Sequence, residues 1–348
     1  MIKKPEILVL GSASCVSANA IAEVLERRSA NYEFIDFQDF DRIGAGISFE
    51  AADESDNCIF AYMRNELRIS TENLRSAYFR ESLPRHTLHK LDPSRLREIQ
   101  APGAEDHYYT QVLYFCTAFL AYLEKRCFCV LPVFETSLAA SKLMQLALAG
   151  DIGFRIPDTY VGSDLAAMRE FLTSHERSIC KAFSPHSFYY EGDAYKTYTS
   201  FVTEDDLARL QPSPYPIVLQ EAVVDRTDIR VGVIGKHVLA AEISWKESDA
   251  SAETLDFRLL EAQSQFNESL TTFAIHSLPR DVEVRCLEMM RRLGLQYGML
   301  DFLKVQSGEY VFLEVNPKGM YGELKLGGHQ PLEVLADLLL DPETHKLV

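Results

Sequence analysis

"YGMLDFLKVQSGEYVFLEVNPKGMYGEL", Tyr297 to Leu324, is rich in aliphatic and aromatic residues, yet Asp301, Glu314 and Asn316 stand inside its apolar arms. "MLDFLKV" and "YVFLEVN" have strand composition, and "QSGE" between them has turn chemistry. A turn centred between Ser307 and Gly308 pairs Val305 with Tyr310. Counting outward then sets Asp301 opposite Glu314. Side chains alternate faces along a strand, so Asn316 shares the face of Glu314.

Facing carboxylates repel, and apolar neighbours raise the cost. Solvent, a cation or a shared proton must offset it. A solvated hairpin edge would supply water, but this hairpin is too hydrophobic for a surface flap. Two carboxylates and an amide oxygen form an all-oxygen set suited to Mg²⁺, which takes one or two carboxylates and leaves the rest to water and phosphate. The stretch predicts a metal-bound phosphate nearby.

Upstream, "DVEVRCLEMMRRLGLQYG" reads as an amphipathic helix leading into this hairpin, and "DIRVGVIGKHVLAAEISW" as a second hairpin turning at "GK". "YPIVLQEAVV" is a strand ending in Gln220 and Glu221. "FYYEGDAYKTYTSFV" turns at "EGD", and "SICKAFS" is a short strand holding Lys181 among small and apolar residues. A helix is expected from about Ser137 to Gly150, carrying Lys142, with a strand at "IPDTYVG" after it.

The first third reads differently. "EILVLGSASCVSANAIAEVLERRSANYEFIDF" is strand, glycine turn, amphipathic helix and strand, an α/β opening. Its turn lacks the GxGxxG spacing of a dinucleotide site, so Gly11 serves the turn alone. "DHYYTQVLYFCTAFLAYLEKR" is a largely buried helix. The segment nearest to a linker is "APGAEDH", Ala101 to His107. His86 and His89 could ligate metal, but lack an acidic or thiol partner close by and read as surface histidines.

The chain has 348 residues, 47% hydrophobic and 25% charged, enough for two or three domains. A net charge of −16 argues against non-specific nucleic-acid or anionic-membrane binding. No apolar run has the length of a membrane span, and "ILVL" is too short for a signal-peptide core. Seven cysteines without a CxxC pair suggest reduced thiols and a cytoplasmic protein, with Cys127 and Cys129 as buried structural thiols.

In order, the chain offers Lys142, Lys181, Gln220-Glu221, Asp228, Arg230, Arg258 in "TLDFR", and finally Asp301, Glu314 and Asn316. This ordered set resembles the ATP-grasp ligases over about Phe134 to Leu339. The pairing of "DIRVGVIGKHVLAAEI" with "TLDFR" is similar to the microviridin-type (graspetide) peptide ligases, which macrocyclise ribosomally made peptides. Residues before about 130 look like their pre-ATP-grasp domain. The resemblance implies an α/β (α+β) ATP-grasp fold divided as 1–134, the N-terminal pre-ATP-grasp domain, 135–219, the central subdomain, and 220–348, the C-terminal subdomain.

It also implies roles. Lys142 and Lys181 match lysines that contact ATP phosphates as compact charges. Gln220, Glu221 and Val223 fall in the strand-end segment at the adenine edge, with Glu221 the matching residue there, and Asp228 matches the ribose contact. Arg230 and Arg258 match arginines facing the transferred phosphate and the acyl intermediate. Asp301, Glu314 and Asn316 match the Mg²⁺ ligands. On local sequence alone, a solvated lysine, a turn-capping aspartate and surface ion pairs would serve for Lys142, Asp228 and the arginines respectively.

One departure concerns the lid. Many ATP-grasp enzymes cover the phosphates with a glycine-rich loop, whereas "SPHSFYYEGDAYKTYTS" has only Gly192. Hydroxyls of Tyr198, Thr199 and Ser200 are the alternative. The implied reaction uses ATP and Mg²⁺ to convert a carboxylate into an acyl phosphate that a hydroxyl or amine then attacks. The implied partner is a ribosomal precursor peptide, leader plus acidic core, with a homodimeric enzyme and no nucleic acid or membrane. The alternative is a ligase that adds a free amino acid to a protein tail or small acid.

Overall fold

The computed structural model describes residues 2–36, 47–50, 59–62, 68–80, 104–181, 187–190, 193–196, 199–209, 216–245 and 271–348. Its first elements are β1 (Ile2–Lys3), β2 (Ile7–Gly11), α1 (Val16–Arg27) and β3 (Tyr32–Asp36). β4 (Ile47–Glu50), β5 (Ile59–Tyr62) and β6 (Arg68–Ser70) join β1 in one sheet. β7 (Ser76–Phe79), α2 (Ala104–Arg126) and β8 (Phe128–Val130) follow. The strands β3-β2-β7-β8 form a wholly parallel sheet, the expected α/β opening. β2 is buried along its length, as a strand covered on both faces must be. A Cβ on Gly11 would come 2.5 Å from that of Ala18, so this glycine lets α1 close onto β2. The expected linker is shorter than its sequence suggests, because α2 already begins at Ala104.

The helix expected from about Ser137 is two helices, α3 (Val133–Ala139) and α4 (Lys142–Ile152), with Ser141 extended between them. α4 ends at Gly153, whose φ of 91° is the left-handed conformation that glycine adopts freely. There follow β9 (Thr159–Gly162), α5 (Leu165–Ser174), β10 (Ser178–Lys181), β11 (Ser187–Tyr190), β12 (Asp193–Lys196), β13 (Ser200–Val202), α6 (Glu204–Arg209) and β14 (Ile217–Glu221). β13-β10-β14-β9 is an antiparallel sheet over a small core of Met168, Leu207 and Leu219, and β11-β12 is the expected separate hairpin.

The last sheet runs β17-β16-β15-β18-β19 and is antiparallel throughout. Its strands are β15 (Arg226–Ile234), β16 (His237–Trp245), β17 (Thr271–Ile275), β18 (Tyr297–Val305) and β19 (Tyr310–Asn316). With it go α7 (Arg280–Arg292), α8 (Gly322–Leu326) and α9 (Pro331–Leu340). One face sets Ile229, Val231, Leu300, Phe302 and Val315 against Met289 and Met290 of α7 and Ala149 of α4. On the other face, Ile234, Tyr297 and Met299 enter a core shared with Leu8, Tyr78 and Leu120 of the first sheet's layers and with Leu335 to Leu339. Arg28 adds ion pairs to Glu333 and Asp337 across this junction, and Ser76 Oγ donates to the Leu339 carbonyl at 2.7 Å. That second face turns polar beyond Met299, where Asp301 and Arg230 stand.

The hairpin register departs from expectation in two compensating ways. Lys304, not Val305, pairs with Tyr310, because the turn is longer and closes through Gly308 at φ 88°. Val305 N–H donates to the Glu309 carbonyl at 3.0 Å. The register then shifts between Phe302 and Asp301, leaving Leu313 as the extra residue of a bulge. Asp301 therefore faces Glu314 after all.

Candidate active site

Asp301 lies between two partners, Glu314 on β19 and Arg230 on β15. Arg230 donates from Nη1 to Asp301 Oδ1 at 2.6 Å, and Lys142 Nζ lies 3.1 Å from Glu314 Oε2. Each carboxylate thus has a protein cation, which offsets the repulsion foreseen between them. Arg230 is 8% exposed, so its charge needs that partner. Burial pushes the Asp301 carboxyl above the usual aspartate range; Arg230 opposes the rise and Glu314 adds to it.

Lys142 is the first residue of α4, where the helix dipole disfavours a cation; Glu314 answers that charge. Lys181 reaches the same place from the end of β10. Its Nζ donates to Gln220 Oε1 at 2.5 Å, and Gln220 Nε2 donates to Thr159 Oγ1 at 2.9 Å. Burial pushes Lys181 down to about 8, while the charges of Glu314 and Asp301 raise it and those of Lys142 and Arg226 lower it. Side chains from α4, β10, β15, β18 and β19 therefore share one electric field. The elements come from both halves of the C-terminal two-thirds of the chain.

The other expected residues that are described lie on β14, β15 and β19 and in the segment that joins β14 to β15. Glu221 is held away from the acids: its Oε2 accepts from Asp158 N–H at 3.3 Å, and its Oε1 is 3.5 Å from Arg155 Nη2. Val223 is buried against Leu303 and Val311. Asp228 shares the face of Arg230 two residues away, with Arg226 Nε 4.0 Å from its Oδ1. Asn316 ends β19 exposed, and its carbonyl accepts from Gly319 N–H at 3.0 Å. Arg258, Tyr198, His86 and His89 lie outside the described residues. Cys127 and Cys129 are free but only partly buried, with their sulfurs 3.8 Å apart.

Three residues with a part in the site are not legible as such in the sequence. Gln145 on α4 is buried and donates from Nε2 to the carbonyls of Ala139 and Val315, at 2.6 and 2.7 Å. Its Oε1 accepts from Val315 N–H at 2.8 Å. β19 is the outer strand, so the outward backbone groups of Val315 have no strand to pair with; one glutamine satisfies both. Val315 lies between Glu314 and Asn316, and Gln145 follows Lys142 by three residues, so this contact also sets the lysine against the acid. Glu323 on α8 brings Oε2 to 4.0 Å from Arg230 Nε. Arg80, after β7, donates to the Lys318 carbonyl at 2.8 Å and so ties the first sheet to the loop beyond Asn316. An acid in "YGEL" just after the Asp-Glu-Asn stretch was the one available signal, for Glu323.

Asp301, Glu314 and Asn316 fit Mg²⁺. Among the described residues no three His, Cys, Asp or Glu side chains converge as a metal cage. Two carboxylates with an exposed amide oxygen leave coordination positions for water and phosphate, the habit of Mg²⁺.

No family model and no curated protein sequence matches the chain. Solved structures do. The chain is similar to the RiPP-associated ATP-grasp ligase of Chryseobacterium gregarium, solved with ADP and a leader and core peptide. The TM-score is 0.78 at 21% identity, covering 99% of each chain. It is similar to the macrocyclase MdnC of Microcystis aeruginosa MRC, bound with the precursor peptide MdnA, at a TM-score of 0.76 and 19% identity over 97% of this chain and 99% of that one. The ATP-grasp ligase PsnB, complexed with a phosphomimetic variant of its minimal precursor, Mg and ADP, gives 0.71 at 20% identity over 97% and 98%. The fold is the ATP-grasp fold over essentially the whole chain, its α/β opening included.

Proposed function

We propose that this protein is an ATP-dependent ligase that closes ω-ester or ω-amide rings between Asp or Glu and Thr, Ser or Lys side chains of a ribosomal precursor peptide. The observation that carries the reading is the convergence of Lys142, Lys181, Arg230, Asp301 and Glu314 on one polar face of a fold whose solved relatives hold ADP and precursor peptides.

Lys142 and Lys181 bind the phosphates of ATP as localised charges. Gln220, Glu221 and Val223 line the adenine edge, and Asp228 binds the ribose. Asp301, Glu314 and Asn316 would hold Mg²⁺, which would supply positive charge against the phosphates and make ADP a better leaving group. A peptide carboxylate attacks the γ-phosphorus, the β–γ bond breaks, and an acyl phosphate forms. A hydroxyl or amine of the same peptide then attacks the acyl carbon and releases phosphate. Arg230 and Arg258 stabilise the charge that develops on the transferred group. Lys142 would turn from Glu314 to the phosphate, and Glu314 would then be available to hold the metal.

The reading brings with it the division 1–134, 135–219 and 220–348, a homodimer, and a cytoplasmic setting in which the free thiols stay reduced. Among the described residues no helix is long and apolar enough to cross a membrane.

The test is mass spectrometry of the cognate precursor after incubation with enzyme, ATP and Mg²⁺. Each ring should remove one water and convert one ATP to ADP. A mass increase by an amino-acid residue would instead identify a ligase that adds free amino acids. AMP as product would refute acyl-phosphate chemistry.

A further inference from the structure

Arg230 is shared unequally. Its Nη1 holds Asp301 at 2.6 Å and its Nη2 donates to the Met320 carbonyl at 3.3 Å. Its Nε is buried without a hydrogen-bond partner, and so is Glu323 Oε2, the two atoms standing 4.0 Å apart. Two complementary buried atoms just beyond hydrogen-bond reach are an unmade contact. Gly319 shapes the space: a Cβ there would meet Arg230 Nη2 at 3.0 Å and Met299 at 2.5 Å. The guanidinium therefore has room beside the backbone that a larger residue would take.

Arg230 engages Asp301 through Oδ1, so a cation drawn to the same carboxylate would compete with the guanidinium for its charge. If Asp301 turns to Mg²⁺, an arginine that is 8% exposed loses its main counter-charge next to a dication. Resting on the ATP and Mg²⁺ reading above, we infer that Glu323 is a positioning residue that takes over Arg230 when Asp301 is drawn to the metal. The guanidinium then stays charged, neutralised and aimed across the site. The Nε–Oε2 separation of 4.0 Å is about 1 Å beyond hydrogen-bond length, a gap of the size that side-chain rotation closes. Glu323 itself sits in the first turn of α8, tied to Leu324, which packs under Gly232 in the shared core. The receiving carboxylate is thus held by a firm element.

The inference predicts a change confined to the metal-loaded state. Glu323→Gln should leave the melting temperature of metal-free, nucleotide-free protein within about a degree of wild type, because Arg230 keeps Asp301. The same variant should weaken Mg²⁺-ADP binding by tenfold or more in calorimetry, and metal-free ADP binding far less. Glu323→Asp, which keeps the charge, should recover part of the loss. In an Arg230→Met background, Glu323→Gln should no longer alter Mg²⁺-ADP affinity.

Equal weakening of ADP with and without Mg²⁺, or an undiminished effect in Arg230→Met, would overturn the role. So would a melting temperature that falls with affinity unchanged, which would make Glu323 only a structural acid. Wild-type protein that fails to bind Mg²⁺-ADP at all would overturn the functional reading itself, a separate outcome.

Discussion

Replacing Lys181 by methionine should change how stability depends on pH in a defined window. Burial pushes this amine from the ordinary 10.5 down to about 8. That difference corresponds to about 3 kcal/mol of extra penalty on the charged form, an upper value because Lys181 is only partly buried by area. The direction follows from proton binding. Between pH 8 and 10.5 the unfolded chain carries the proton and the folded chain has lost it, so stability rises with pH. The slope approaches about 1.4 kcal/mol per pH unit at most, and below pH 8 both states are charged and the contribution is flat. Lys181→Met removes the rise. At neutral pH the variant also escapes the buried charge but strands the Gln220 amide oxygen, which costs about 1–3 kcal/mol, so its net stability should lie near wild type. Reversible urea titrations of both proteins at half-unit steps from pH 7 to 10.5 read the difference directly. Parallel curves across the window would refute the account of Lys181 as a buried, field-sensitive amine. ATP affinity supplies the functional half: phosphate prefers the charged amine, so wild-type affinity should fall above pH 8 and that of the variant should be weaker and flatter.

Asp301→Asn and Glu314→Gln should both abolish ATP-dependent turnover, yet differ in stability. Asn at 301 leaves buried Arg230 half-paired and should cost about 2–4 kcal/mol, whereas the half-exposed Lys142–Glu314 pair should be worth only about 0–1 kcal/mol by denaturant titration. Gln145→Leu should cost about 2–4 kcal/mol, because it orphans the buried N–H and C=O of Val315, and should speed hydrogen exchange at that amide.

The strands and helices around the site were legible because their patterns are local. The alternation in "DIRVGVIGKHVLAAEISW" forces β15 and β16 to pair about Gly235, and the apolar run of β2 forces a covered strand. The facing of Asp301 and Glu314 was legible too, although the turn and the bulge that produce it each depart by one residue from the simple count. The expectation that Lys142, Lys181 and Arg230 belong to one site rested on their order along the chain and their likeness to a known family. Their pairing did not. That Arg230 guards Asp301 and Lys142 guards Glu314 depends on which strands are neighbours, and distant segments become neighbours only when the cores close.

Gln145 shows the limit most plainly. In "KLMQLALAG" a glutamine on a helix reads as a surface residue, since nothing local distinguishes it from a solvated one. Its role comes from packing α4 against the open edge of β19, where backbone donors and acceptors need partners. Glu323 and Arg80 are alike in this, each meaningful only beside a residue far away in sequence. Periodicity and turn chemistry act over a few residues and can be read from the chain. Charge compensation acts across space, through whichever groups the folded core brings within a few ångströms, and only the tertiary structure decides which those are.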